Sequence, residues 1–294
     1  MSLNQLRTFV EVHRRRSLSE AARALALTQP AVSQHIASLE AQLARPLFER
    51  HARGVRPTGV ADDLAAAIGA SLDQAEAALA SVRARSMQLS GTIHLAAPAD
   101  YLAEHLAPRL APLIAAGLDL RLQVGGREAL YDLLVADRVH LGLTASLPTD
   151  PRLAFQAVGT ETLRAVAAPK VAAQIAAMGL ADGLRAVPHL AYDLDRPLLR
   201  TWLDANGLAV DRLPAATAPD LRVLRAMLGA GIGWSVLPGY LTRRQREDGS
   251  LVEIRAPLTV PRNAFHLVWA RSALRHPRVA FARDMLLEAL GAGR

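Results

Sequence analysis

The sequence predicts an α+β chain of several domains: a small helical N-terminal unit, one long helix and a large α/β body. At 294 residues the chain exceeds the roughly 100–200 residues of one ordinary domain, and 51% hydrophobic against 21% charged residues can fill more than one core. Apolar residues recur at helical spacing through 3–43 and again through 64–82. After Gly91, short strand-like runs alternate with helical ones.

Composition removes several function classes. There is no cysteine, so disulfides, thiolate metal sites, Fe–S clusters and cysteine nucleophiles are excluded, in keeping with a reducing compartment. The opening MSLNQLRTFVEVHRRR meets charge before any run long enough for a signal-peptide core, so a cytoplasmic location is expected. The longest uncharged stretch, between Arg225 and Arg243, is broken by Gly229, Gly231, Gly233, Pro238 and Gly239, unlike a membrane span. Net charge is +7, and residues 1–60 carry +5 of it, from nine Arg against four Glu. The excess therefore sits at one end, where a polyanion is the expected partner.

Leu3, Leu6, Phe9, Val10 and Val12 predict a first amphipathic helix closing on Arg14–Arg16, cations that suit a helix C-terminus. Ser17 and Glu20 match a capping box opening a second helix, with Ala21, Ala22 and Leu25. Thr28 is the next N-cap, and Pro30 falls in the first turn, where its missing N–H matters little. This third helix buries Val32, Ile36, Leu39 and Leu43, and turns Gln29, Pro30, Ser33, Gln34 and Ala37 outward. Gln can pair bidentately with adenine, Ser can meet base or phosphate, and Pro and Ala can contact a thymine methyl, so the face suits base readout in a groove. Beyond Pro46, Leu47 and Phe48 are placed for core anchoring, and Arg50, Arg53 and Arg56 follow around Gly54 as a basic wing suited to phosphates.

From Thr58 to about Leu89 one long helix is expected. Leu64, Ile68, Leu72, Ala75, Leu79 and Val82 form its stripe, buried either by a second copy or by the body. Ser90-Gly91 breaks it. The body follows as GTIHLAAP, a helix with Leu102, Leu106 and Leu110, the strand 118–124, a helix with Leu130, Leu133 and Leu134, and the strand 139–144. That alternation predicts a mainly parallel sheet covered by helices. Ligand positions are then expected at strand carboxyl ends: Ala99 and Asp100, Gly126 and Arg127, Thr144 to Ser146. A crossover strand at 162–167, a region around Trp202, a return strand at 265–269 and a last helix at 276–290 complete the reading.

Residues 1–61 strongly resemble the winged helix-turn-helix of the LysR-type transcriptional regulators. The matching residues are Leu6, Phe9, Ser17, Ala21-Ala22, Leu25, Thr28-Gln29-Pro30-Ala31-Val32-Ser33, Ile36, Leu39-Glu40, Leu43, Leu47-Phe48, Arg50 and Thr58. Pro57 and Ala61 depart from the Leu and Gly of that pattern, and His140 stands where many members carry Asp. A looser likeness covers most of the remainder, clearest in VLRAMLGAGIGWSVLP.

The resemblance implies three parts: a DNA-binding domain at 1–61, a linker and dimerisation helix at 62–90, and an effector-binding domain at 91–294. The last would be two α/β lobes of periplasmic-binding-protein type, lobe I about 91–161 and 267–294 and lobe II about 162–266. Base readout falls to Gln29, Pro30, Ser33 and Gln34, and phosphate contact to Ser17, Arg50, Arg53 and Arg56. Dimerisation falls to Leu64, Ile68, Leu72, Leu79 and Val82. Tyr192 and Asp193 join Ala99, Asp100, Gly126, Arg127, Thr144 and Ser146 in the effector cleft, where a ligand with an amino or hydroxyl group is favoured, Arg127 arguing for a carboxylate.

The expected function is sequence-specific transcriptional regulation controlled by a small-molecule effector. The expected partners are an interrupted inverted repeat of double-stranded DNA, the effector, a homodimer or homotetramer of this chain, and RNA polymerase; no membrane, metal or cofactor is expected. The alternatives are a small-molecule binding protein with a vestigial DNA-binding head, and an enzyme with such a head. No catalytic residue is assigned, because zinc-protease, nucleophile-elbow, Walker and kinase patterns are all missing, and Gly229, Gly231 and Gly233 follow a helix instead of joining strand to helix.

Overall fold

The computed structural model describes residues 2–51, 54–86, 89–125 and 127–291. The chain forms two compact units, Met1–Met87 with Arg271–Ala280, and Gln88–Ala270 with Phe281–Arg294.

The N-terminal unit opens with α1 (Leu3–Arg15), α2 (Leu18–Leu25) and α3 (Gln29–Leu43). Ser2 and Gln5 form a reciprocal capping box on α1. On α2 only the forward half of the expected box forms: Glu20 N–H donates to Ser17 Oγ at 3.2 Å, while the Glu20 side chain stays exposed. Thr28 caps α3 through Ala31 N–H at 3.3 Å. Phe9, Val10, Val12, Ala21, Ala22, Val32, Ile36, Leu39 and Leu47 form the core.

β1 (Phe48–His51) and β2 (Gly54–Pro57) make an antiparallel hairpin. Gly54 has φ +139°, and a Cβ there would lie 2.5 Å from the Arg16 carbonyl oxygen, so the close approach that lets Val55 N–H reach that oxygen at 3.0 Å requires glycine. Thr58 then starts α4 (Gly59–Ser86): its Oγ1 accepts from Ala61 N–H at 3.3 Å and donates to Pro46 O at 3.0 Å. Ala61 is fully buried, and Pro57 is buried opposite Phe48 at the end of the hairpin. The turn Arg271–Arg275 packs on α4, and Arg275 reaches the buried Glu11 at 3.6 Å.

The second unit begins with β3 (Gly91–Ala97). The short α5 (Ala99–Tyr101) continues through irregular turns to Arg109, before α6 (Ala111–Ala115), β4 (Leu118–Val124), α7 (Arg127–Val135) and β5 (Leu141–Thr144). The long β6 (Leu153–Ala167) leads to α8 (Pro169–Ala177), α9 (Leu180–Ala186), β7 (Leu190–Ala191), α10 (Pro197–Ala205), β8 (Ala216–Thr217), α11 (Leu221–Gly229) and β9 (Trp234–Pro238). α12 (Arg243–Glu247), β10 (Val252–Glu253) and β11 (Arg262–Ala270) follow, and α13 (Pro277–Gly291) closes the described chain.

The strand order is β10-β6-β11-β5-β3-β4, with β9 also on β6. β3 is parallel to β4 and β5, but β11 is antiparallel to both β5 and β6, and β9 and β10 are antiparallel to β6. The sheet is therefore mixed, a correction to the expected mainly parallel one. The chain leaves along β6 and returns along β11; the two crossings run in opposite directions and pair from Arg262↔Thr162 to Ala270↔Leu153. Hydropathy reports which strands are buried but not which way they run.

Around the second half of β6, Leu163, Ala165, Trp202, Trp234 and Val236 form one core, and Val166, Leu190, Leu224, Leu228 and Leu237 another. Gly229 is the last residue of α11, and Gly231, just beyond it, has φ +77°, a left-handed C-terminal position. His140 takes up a strand-edge role, accepting from His94 N–H on Nδ1 at 3.0 Å.

Candidate functional site

α3 is pinned by its inner side. His35 Nδ1 meets Thr8 Oγ1 at 2.8 Å, Gln5 Nε2 donates to Ser38 Oγ at 2.9 Å, and Val32, Ile36 and Leu39 are buried. Gln29, Pro30 and Gln34 are consequently exposed and Ser33 half-buried, with Gln29 Nε2 3.3 Å from Ser33 Oγ. Glu40 ties the wing to this helix, its Oε1 accepting from Leu47 N–H at 2.7 Å and Phe48 N–H at 3.1 Å. Arg50 stands opposite Val55 and Arg56 opposite Glu49, and both arginines are exposed. Arg53 lies outside the described residues.

Other arginines of the basic end are engaged internally. Arg14 makes a bidentate pair with Asp73 at 2.6 and 3.0 Å, Arg7 meets Glu76 at 3.0 Å, and Arg15 meets Glu11 at 2.5 Å. Arg14 and Arg7 thus hold α1 to α4, while Arg50 and Arg56 of the wing remain solvent-facing.

The stripe on α4 divides. Leu72 is 8% exposed within the unit's own core, with Leu64 and Ile68 packed partly against it. Leu79 and Val82 are 51% and 65% exposed. Uniform spacing cannot show this split, because the part of α4 that is covered depends on which distant segments, α1 and the turn Arg271–Arg275 among them, pack on it.

The second unit contains a cavity of 610 Å³ lined by Asp100, Thr144, Ser146, Tyr192 and Asp193, five of the expected effector residues. Ala99 is buried and does not line it. Gly126 and the Arg127 side chain lie outside what is described. Asp100 follows β3, Thr144 and Ser146 close β5, and Tyr192 and Asp193 follow β7, so strand carboxyl ends supply the polar wall. Ser146 N–H donates to Thr144 Oγ1 at 3.1 Å, and Tyr131 Oη donates to Ser146 O at 2.6 Å.

Glu161, Asp195, Thr201 and Asn263 complete the polar lining and are not among the expected residues. Glu161 shares its strand parity with the buried Leu163, Ala165 and Ala167, the one sequence signal of its inward position. Four carboxyl groups face this space, and no Lys, Arg or His is among its described lining residues.

Asp100 is almost fully buried and accepts from Tyr240 Oη; burial raises its pKa, which the Tyr240 hydrogen bond partly opposes. Glu161 is pushed up to about 9, by burial first and then by Asp100. The nearby Asn263 amide acts in the opposite direction, although neither Glu161 oxygen has a hydrogen-bond partner within bonding geometry.

Between the ordinary value of 4.5 and about 9, native Glu161 holds a proton that the unfolded chain has released, so stability falls with rising pH across that window. Glu161→Gln is expected to flatten this slope, leaving stability near that of the parent at about pH 5 and raising it at about pH 8. Denaturant midpoints at the two pH values check this; parallel pH profiles for the two proteins would overturn it.

Comparisons with known proteins agree with this architecture. A family profile described as "Bacterial regulatory helix-turn-helix protein, lysR family" matches residues 3–61, and one described as "LysR substrate binding domain" matches 86–291. The HTH-type transcriptional regulator AbaB of Streptomyces antibioticus is 36% identical over 297 residues, covering 98% of each chain. TrpI of Pseudomonas aeruginosa is 29% identical, covering 98% of this chain and 97% of its own.

Among solved structures, LysG of Corynebacterium glutamicum with bound effector Arg superposes with a TM-score of 0.60 at 20% identity, covering 99% of this chain and 98% of its own. CrgA of Neisseria meningitidis gives 0.59 at 23%, covering 99% of both. With both family profiles in their expected order and a relative of this identity along nearly its whole length, the chain belongs to the LysR family of bacterial transcriptional regulators, with a helix-turn-helix DNA-binding domain and an effector-binding domain.

Proposed function

We propose that this regulator acts in the cytoplasm as a homodimer or homotetramer on an interrupted inverted repeat, meets RNA polymerase there, and responds to a small effector carrying a cationic group. Base readout is assigned to Gln29, Pro30, Ser33 and Gln34, and phosphate contact to Ser17, Arg50, Arg53 and Arg56. The observation that supports the DNA assignment is the division of labour in the N-terminal unit. One side of α3 is fixed by Thr8, Gln5 and the core, and the other carries amide and hydroxyl groups with no acidic residue among them.

The effector assignment rests on the acidic lining. A carboxylate ligand beside Asp100, Asp193 and Asp195 would meet like charge, whereas an amine or guanidinium gains charge-assisted hydrogen bonds.

Gln29→Ala is expected to weaken operator binding by about 1–3 kcal/mol and to relax preference at one base position, because a bidentate amide contact carries that much discrimination. Arg50→Ala should weaken specific and random DNA alike and reduce the slope of log affinity against log salt by about one. Binding titrations at several salt concentrations, on the operator upstream of the gene and on random duplex, separate the two. Equal losses on both duplexes for both variants would sink the assignment.

A further inference from the structure

The body holds a second, larger cavity of 810 Å³, which shares Glu161 and Phe265 with the acidic one. Its wall comes from the turns after α5, residues 157–164 of β6, the segment from Gly239 to Arg246, and Arg262 and Phe265 of β11. Arg109, Arg164, Arg243, Arg246 and Arg262 all line it. We propose that this cavity is a binding site for a small organic polyanion, a molecule bearing at least two phosphate or carboxylate groups.

Clustered guanidinium groups repel one another, and the repulsion is offset only by nearby negative charge. Glu253 supplies part of that charge, meeting Arg164 at 2.5 Å and Arg246 at 3.9 Å, and it is not among the lining residues. The one carboxyl group among the described lining residues is Glu161, which burial keeps protonated at neutral pH.

Arg109 and Arg262 are held by neutral acceptors. Arg109 donates to Ala289 O at 3.1 Å and His105 O at 2.7 Å, and Arg262 donates to Thr160 Oγ1 at 2.6 Å. These bonds orient the guanidinium groups without neutralising them. Arg164 Nε–H is buried with no hydrogen-bond partner, although another nitrogen of the same group is paired. A buried donor left unmade is costly, and an oxyanion is a fitting acceptor for it.

The remaining wall suits an organic frame more than a bare ion. Tyr101 stacks on Phe265 with ring centroids 4.2 Å apart, and Tyr240 meets Tyr101 edge-on at 6.3 Å. His105, packed on Tyr240 at 4.3 Å, has its pKa lowered by burial and then by Arg109, so it adds no further cation at neutral pH. A solvated arginine surface would have neither the concavity nor the neutral tethers.

Calorimetry of the full chain with pyrophosphate, with citrate and with sodium chloride alone tests the site. Arg243→Glu/Arg262→Glu is the main variant, because Arg243 is exposed and Arg262 is tethered only to Thr160. Arg138→Glu, an exposed position outside the cavity, controls for loss of overall charge. Saturable binding of pyrophosphate or citrate is expected at about 0.15 M salt, weakened about a hundredfold by the double variant and hardly at all by Arg138→Glu. Tighter pyrophosphate assigns a phosphorylated ligand, and tighter citrate a polycarboxylate. The proposal is overturned if neither anion saturates, if chloride competes equally, if both variants lose affinity equally, or if only DNA binding responds to the double variant.

Discussion

Leu72→Asp is expected to unfold the N-terminal unit, whereas Leu79→Asp and Val82→Asp are expected to leave it folded and to dissociate the assembly. The three residues belong to one apolar stripe on α4, but Leu72 is buried with Phe9, Ile36 and Leu39, while Leu79 and Val82 face solvent within the unit. An aspartate at 72 would lose the leucine's packing and place a carboxylate in an apolar core, a change of roughly 3–5 kcal/mol that is a large share of a small domain's stability. At 79 or 82 the same carboxylate stays hydrated in the monomer and is buried only against a second copy. Circular dichroism melts should therefore show a lost or strongly lowered transition for Leu72→Asp alone. Sedimentation should show a reduced mass for the other two, with operator affinity falling because paired half-sites are no longer engaged together. If Leu79→Asp/Val82→Asp kept the parent mass, this part of α4 would not be the interface.

Asp100→Asn should have the second large effect, on effector binding. Asp100 combines near-complete burial, a Tyr240 hydrogen bond and a place in the acidic wall. Its negative charge is held where water cannot screen it, so removing that charge from a bound amine or guanidinium should weaken binding by about tenfold to a hundredfold. Calorimetry with arginine, putrescine and succinate provides cationic and anionic arms. The expected pattern is saturable binding of a cationic compound, lost in Asp100→Asn and weakened in Thr144→Val. Succinate binding that survives both substitutions would overturn the cation assignment without touching the DNA-binding assignment.

The N-terminal unit was the most legible part because its information is local. The N-caps Ser17 and Thr28, the early Pro30 and the spacing of Val32, Ile36 and Leu39 determine helices and faces within a few residues of themselves, and α3 exposes the expected Gln29, Pro30 and Gln34. Gly54 was legible as part of the wing, but the Arg16 carbonyl against it was not.

What the sequence by itself determined is the order of elements in the N-terminal unit, the family and the outward face of α3, since each follows from periodicity, capping chemistry or a dense local motif. Tertiary structure alone decided the rest. It divided the α4 stripe between an internal core and an exposed end, and it ran β11 antiparallel to β6. It also brought Asp100, Glu161 and Asp193 into one cavity, and Arg109, Arg164 and Arg262 into another. The physical reason is the same in each case: burial and charge depend on which distant segments meet, and hydropathy along the chain carries no record of those meetings.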